Sequence, residues 1–94
     1  MSKDEALYTR AYREGYLDGL RQRARPGELP QGAEAEAQAA AAQASIGLDS
    51  AQLDNPAMGY THGRYHGYHG KPSPGSYYQA RQSQGRSTSP PNLP

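Results

Sequence analysis

The 94-residue sequence contains no cysteine, no tryptophan and no phenylalanine. Without cysteine, neither a disulfide framework nor a thiolate metal site can form. Large aliphatic or thioether side chains are also scarce, with seven Leu, one Ile and two Met. A chain of this length is near the lower limit for a single core, and ten such side chains do not offset the entropy lost on ordering it. We therefore expect no independent globular core and a chain that folds on a partner.

Long apolar runs are missing as well, so we expect neither a secretory signal nor a membrane span. Ser, His and Asp occur, but nothing in the sequence fixes them relative to one another, and an active site needs a rigid scaffold. We therefore predict that the protein is not an enzyme, takes no cofactor and has no small-molecule substrate.

The formal net charge of +1 conceals two different halves. Residues 1–54 carry all nine acidic residues against six basic ones, which gives −3. Residues 55–94 carry four basic residues and no acidic one, which gives +4. A near-neutral total therefore does not exclude a polyanionic partner.

Residues 1–25 carry the signals of an amphipathic helix. Ser2 and Glu5 have the spacing of a capping box, basic residues lie near the expected C-terminal end, and Pro26-Gly27 stops the pattern. Apolar and small residues recur in adjacent pairs every four positions. On a helix, this spacing predicts a row of bulky side chains beside a row whose side chains become smaller along the chain. We interpret this face as a groove that another backbone approaches closely, with tyrosines gripping a partner. Its residues are Leu7, Tyr8, Ala11, Tyr12, Gly15, Tyr16, Gly19 and Leu20.

The rest of the chain divides into three segments. Residues 26–32 form a Pro/Gly linker, and residues 33–46 are rich in alanine, which predicts a short second helix. Residues 47–94 are expected to be an extended basic aromatic tail, because glycine at 63, 67 and 70 argues against a helix. We assign the sparse apolar group Ile46, Leu48, Leu53 and Met58, which spans the boundary between the last two of these segments, to a loop. The predicted fold is thus mostly irregular, with two helices.

The tail permits three chemistries. Metal binding by His62, His66 and His69 lacks a completing carboxylate or cysteine. A protein partner suits an extended chain with interface residues. Single-stranded nucleic acid suits rings that stack on bases and cations that meet phosphates. The residues predicted to contact nucleic acid are Tyr60, Arg64, Tyr65, His66, Tyr68, His69, Lys71, Tyr77, Tyr78, Arg81 and Arg86.

In size and layout the chain resembles small accessory proteins of virus particles. Within that group it is similar to the internal DNA-associated capsid proteins of microviruses, and it shares short stretches such as Met1-Ser2-Lys3 and Ala24-Arg25-Pro26-Gly27. The resemblance implies a location inside the virion, reached from the host cytoplasm, against a major capsid protein and the single-stranded genome. The acidic N-terminal half departs from the strongly basic pattern of that family.

From these observations we expect a non-enzymatic structural or accessory protein of a bacteriophage virion. The helix face would dock on a larger coat-type protein, and the tail would line the capsid and reach single-stranded nucleic acid. The alternatives are a cytosolic adaptor or inhibitor that folds on a host protein, and a transient scaffolding protein.

Overall fold

In a computed structural model of the protein, residues 5–24 and 28–74 are described, and they are mostly helical. Four helices occur there: α1 (Leu7–Arg23), α2 (Ala33–Ser45), the single turn α3 (Ser50–Leu53) and α4 (Pro56–His69). No strand is found in those two ranges. None of these helices has the length and apolar character needed to cross a membrane.

Helix α1 lies inside the predicted range but starts later than its capping box implied. Its N-cap is Ala6, whose side chain makes no capping hydrogen bond. Glu5 precedes the helix and forms an ion pair with Arg13 instead. The expected contribution of Glu5 to a cap is therefore wrong, and Ser2 lies outside the described residues.

Helix α2 matches the alanine-rich segment and lies antiparallel to α1. The hydroxyl of Thr9 is 2.6 Å from that of Ser45, while farther along α1 the hydroxyl of Tyr16 donates to Glu36 at 2.5 Å. Every third or fourth residue of α2 is buried against the tyrosines of α1. These residues are Ala33, Ala37, Ala41 and Ala44.

Helix α4 contradicts the prediction of an extended chain from residue 47 onward. Asn55 accepts a hydrogen bond from the backbone N–H of Met58 at 3.0 Å, and Pro56 occupies the first turn. Both are helix-start signals. Gly70 then ends the helix in the left-handed conformation at φ 80°, as glycine commonly does at this position. The segment assigned to a loop is likewise partly helical, because α3 and the start of α4 fall within it.

The core of the described residues is made of tyrosine rings and alanine methyls. Tyr8 and Tyr12 are almost completely buried, with exposed fractions of 0 % and 1 %. Tyr16, Leu20 and Leu48 join them, and Leu17, Leu29 and Met58 pack at the edge. The expectation that the chain has no core of its own therefore rested on too narrow a choice of side chains.

Candidate nucleic-acid interface

Helices α1 and α4 run parallel, with their backbones in direct contact. A Cβ atom added at Gly15 would lie 2.8 Å from the backbone nitrogen of Arg64. A Cβ added at Gly63 would lie 2.8 Å from the backbone carbonyl carbon of Tyr12. Since real Cβ atoms do not approach other heavy atoms this closely, the glycines on each helix make room for the backbone of the other. We call this contact the glycine seam; it comprises Gly15 and Gly19 of α1 and Gly59, Gly63 and Gly67 of α4.

The predicted close approach of another backbone is thus found, but the backbone is that of α4 in the same chain. Tyr8, Tyr12, Gly15, Tyr16, Gly19 and Leu20 are buried, and Ala11 is half-buried. Of the predicted docking face, only Leu7 remains largely exposed, at 46 %. The assignment of this face to a partner assumed that the chain had no surface to cover it, and α4 provides that surface.

On the α2 side of the seam, tyrosines of α1 pair with histidines of α4. The hydroxyl of Tyr8 is hydrogen-bonded to Nδ1 of His62 at 2.9 Å, and that of Tyr12 to Nδ1 of His66 at 2.7 Å. Burial lowers the pKa of both histidines, and nearby Glu36 partly opposes this for His66. The ring of His66 also lies edge-on to Tyr16. His66, which is predicted to contact nucleic acid, therefore packs between α1 and α4 against Tyr12 and Tyr16.

On the other side of the seam, α4 makes polar contacts with α1. The Tyr60 hydroxyl donates to Asp18 at 2.7 Å, which raises the pKa of Tyr60, and Arg64 donates to Gln22 at 2.8 Å. Asp18 also accepts a hydrogen bond from Arg21. Tyr60 therefore lies beside a carboxylate, a setting that does not favour phosphate.

Farther along α4, side chains line an open groove of about 570 Å³. The ring centroids of Tyr65 and His69 are 4.1 Å apart with the planes tilted by 36°, and Tyr68 meets His69 edge-on at 4.9 Å. Tyr68 is 46 % exposed. We call this the α4 groove; it is lined by Gln22, Thr61, Arg64, Tyr65, Tyr68, His69 and Ser73.

The α4 groove brings together part of the predicted nucleic-acid set. Arg64, Tyr65, Tyr68 and His69 meet there, and Lys71 is exposed just beyond the end of α4. Sequence reasoning missed Gln22, Thr61 and Ser73, and no local signal marks Gln22, which reaches the groove only because α1 lies beside α4. The remaining predicted residues lie outside the described ranges: Tyr77, Tyr78, Arg81 and Arg86.

The histidines form no metal cluster, since within residues 5–24 and 28–74 no group of three His, Cys, Asp or Glu side chains has the geometry to hold an ion. Comparison of the chain with known proteins gives no family: no family model matches it, and neither does any curated protein or solved structure.

Proposed function

We propose that this chain is a non-enzymatic accessory protein of an assembly that contains single-stranded nucleic acid, such as a bacteriophage particle. In this role, a small helical body joins a larger structural protein to the polyanion. The observation that carries the proposal is the exposed arginine and aromatic surface of α4, which leads into a C-terminal sequence without acidic residues. Exposed rings stack on bases, and cations meet phosphates.

The two ends of the body support a joining role because they differ in chemistry. The Thr9–Ser45 hydrogen bond marks one end, where Leu7 and Ile46 are 46 % and 58 % exposed. The α4 groove lies toward the other end, beside Gln22. Exposed apolar side chains suit contact with protein, whereas arginine beside exposed rings suits nucleic acid.

The test is binding of the full-length protein to fluorescently labelled oligothymidylate of about 20 nucleotides, measured by anisotropy across a salt series. If the four basic residues after position 54 all meet phosphates, the slope of log affinity against log salt is about −3. Absence of salt-dependent binding would refute the nucleic-acid role.

A matched pair of variants then tests the contribution of the tail. Arg81→Gln with Arg86→Gln removes two charges from the acid-free half, whereas Arg10→Gln with Arg13→Gln removes two from α1. We expect the first pair to weaken binding and reduce the slope by about 1.4, while the second pair changes it much less. Equal effects would indicate a response to net charge alone.

A further inference from the structure

We propose that the α4 groove is a nucleotide-binding site within this interface, in which the base of a single-stranded nucleic acid stacks on Tyr68 and its phosphate meets Arg64. This inference rests on the proposed function and assigns it to particular atoms. Single-stranded nucleic acid is the ligand because the groove offers an exposed ring and a permanent cation, and its lining includes no carboxylate.

Arg64 is held in a defined position. Its Nη2 donates to the side-chain oxygen of Gln22 at 2.8 Å, so the guanidinium is anchored across the seam to α1. A guanidinium has five N–H donors in a planar fork, and this bond uses one of them. Anchoring reduces the rotamer entropy lost when the remaining donors bind a phosphate.

The rings are also arranged in advance. His69 packs against Tyr65 with the two ring planes tilted by 36° and lies edge-on to Tyr68, so the three rings support one another. Tyr68 is nevertheless 46 % exposed, and it is the groove tyrosine with the larger free surface, since Tyr65 is half-buried. An exposed ring held by neighbours is a stacking platform, and stacking tolerates any base because every base has a π face.

The helix terminus itself would disfavour an anion, because the last carbonyls of a helix carry partial negative charge. Arg23 offsets this at the end of α4, where its Nη1 donates to the carbonyl of Gly67 at 3.2 Å and lies 3.5 Å from that of Tyr68. Asp18, the acid that Tyr60 contacts, also accepts a hydrogen bond from Arg21. Two arginines are therefore placed to meet a phosphate, Arg64 in the lining of the groove and Arg23 at the end of α4.

The experiment uses the full-length protein with labelled oligothymidylate and, in parallel, oligouridylate of the same length. We expect Tyr68→Ala to weaken binding by about 5- to 140-fold, the fold-change that corresponds to one stacked base. Tyr68→Phe keeps the ring and should bind like the wild type. Arg64→Gln should weaken binding and reduce the salt slope by about 0.7.

Arg10→Gln is the matched control for charge, because Arg10 is exposed on α1 and does not line the groove. An equal loss of affinity in Arg10→Gln and Arg64→Gln would overturn the site. Unchanged affinity in Tyr68→Ala would also overturn the site. If the wild type nevertheless binds the oligonucleotide, the proposed function stands and the contact lies elsewhere on the protein. Failure of the wild type to bind either probe would refute both. A duplex that binds as tightly as the single strand would exclude base stacking and the site with it.

Discussion

Replacing Gly63 by alanine tests the glycine seam directly. In an ordinary helix position this substitution stabilises a protein by about 1 kcal/mol, because alanine has the higher helix propensity. Here the new methyl group would lie 2.8 Å from both the Cα and the carbonyl carbon of Tyr12. Since the obstacle is backbone, no side-chain rotation relieves it, and α1 and α4 must separate.

The cost of separating α1 from α4 decides whether Gly63→Ala raises or lowers the stability of the protein. Overpacking of a core costs about 1–3 kcal/mol and occasionally more, and backbone against backbone belongs at the upper end of that range. After the gain in propensity is subtracted, we expect the free energy of unfolding to fall by about 2 kcal/mol. For a chain of this length, that lowers the unfolding midpoint by about 10 °C.

The assay is thermal unfolding followed by circular dichroism at 222 nm, repeated at several protein concentrations so that association is detected. Thr61→Ala is the control, because Thr61 is exposed on the same helix and its hydroxyl bonds only to the carbonyl of Ala57 among the described contacts; its midpoint should be unchanged or slightly higher. Gly15→Ala should resemble Gly63→Ala, and the double variant should cost less than the sum, since both separate the same helices. A midpoint for Gly63→Ala at or above that of the wild type would refute the seam.

Two further predictions concern the interior and the start of α4. Burial lowers the pKa of His62 and His66, so below the unfolded histidine pKa of about 6.5 the unfolded chain binds more protons than the folded one. The free energy of unfolding should therefore fall as pH decreases from 7 to 5, by up to about 1.4 kcal/mol per pH unit for each histidine. Urea denaturation at a series of pH values measures this, His62→Gln should make the dependence shallower, and a stability that rises on acidification would contradict it. Asn55→Ala should lower the free energy of unfolding by about 1 kcal/mol, because α4 loses its cap. In the same denaturation assay, Asn55→Asp should retain most of the stability. Equal stability of the wild type and Asn55→Ala would show that the cap contributes nothing.

The first two helices could be predicted from local sequence. In α1, the pairing of Tyr8, Tyr12 and Tyr16 with smaller neighbours every four residues matches one face of a helix. In α2, alanine and glutamate are strong helix formers, and Glu34 and Glu36 lie in the first turn, as the helix dipole favours. Such signals act over a few residues, so they can be read without knowledge of the tertiary structure.

Helix α4 could not be predicted by the same reasoning, because its stabilisation is not local. Gly59, Gly63 and Gly67 each cost about 1 kcal/mol of helix propensity, and what offsets this is the backbone of α1, about 50 residues away in the sequence. Local signals at both ends were nevertheless present: Asn55-Pro56 starts the helix, and Gly70 ends it. Combined with the period-four glycines on α1, they could have indicated that the two helices pack together.

A count of Leu, Ile and Met alone underestimates the core, because tyrosine and alanine form most of it. A buried tyrosine removes 150–250 Å² of surface from water, and it can be buried when its hydroxyl has a hydrogen-bond partner. Tyr8 and Tyr12 find theirs on His62 and His66. The pairing of a tyrosine row with a histidine row was not visible until α1 and α4 were known to be adjacent.

The repeats that build the seam do not by themselves set its register. Glycines and histidines recur every four residues on α4, and tyrosines do so on α1, so a slip by one helical turn would recreate many of the same contacts. The polar contacts have the same four-residue spacing, because Tyr60 meets Asp18 at 2.7 Å and Arg64 meets Gln22 at 2.8 Å. A slip of α4 by one turn in one direction would therefore bring Arg64 to Asp18 while Tyr60 lost that carboxylate. Both contacts are polar and lie on the exposed side of the seam, where each contributes on the order of 1 kcal/mol at most. The glycine seam therefore provides close packing, and the polar contacts on its exposed side distinguish the possible registers only by the difference between one such pairing and another.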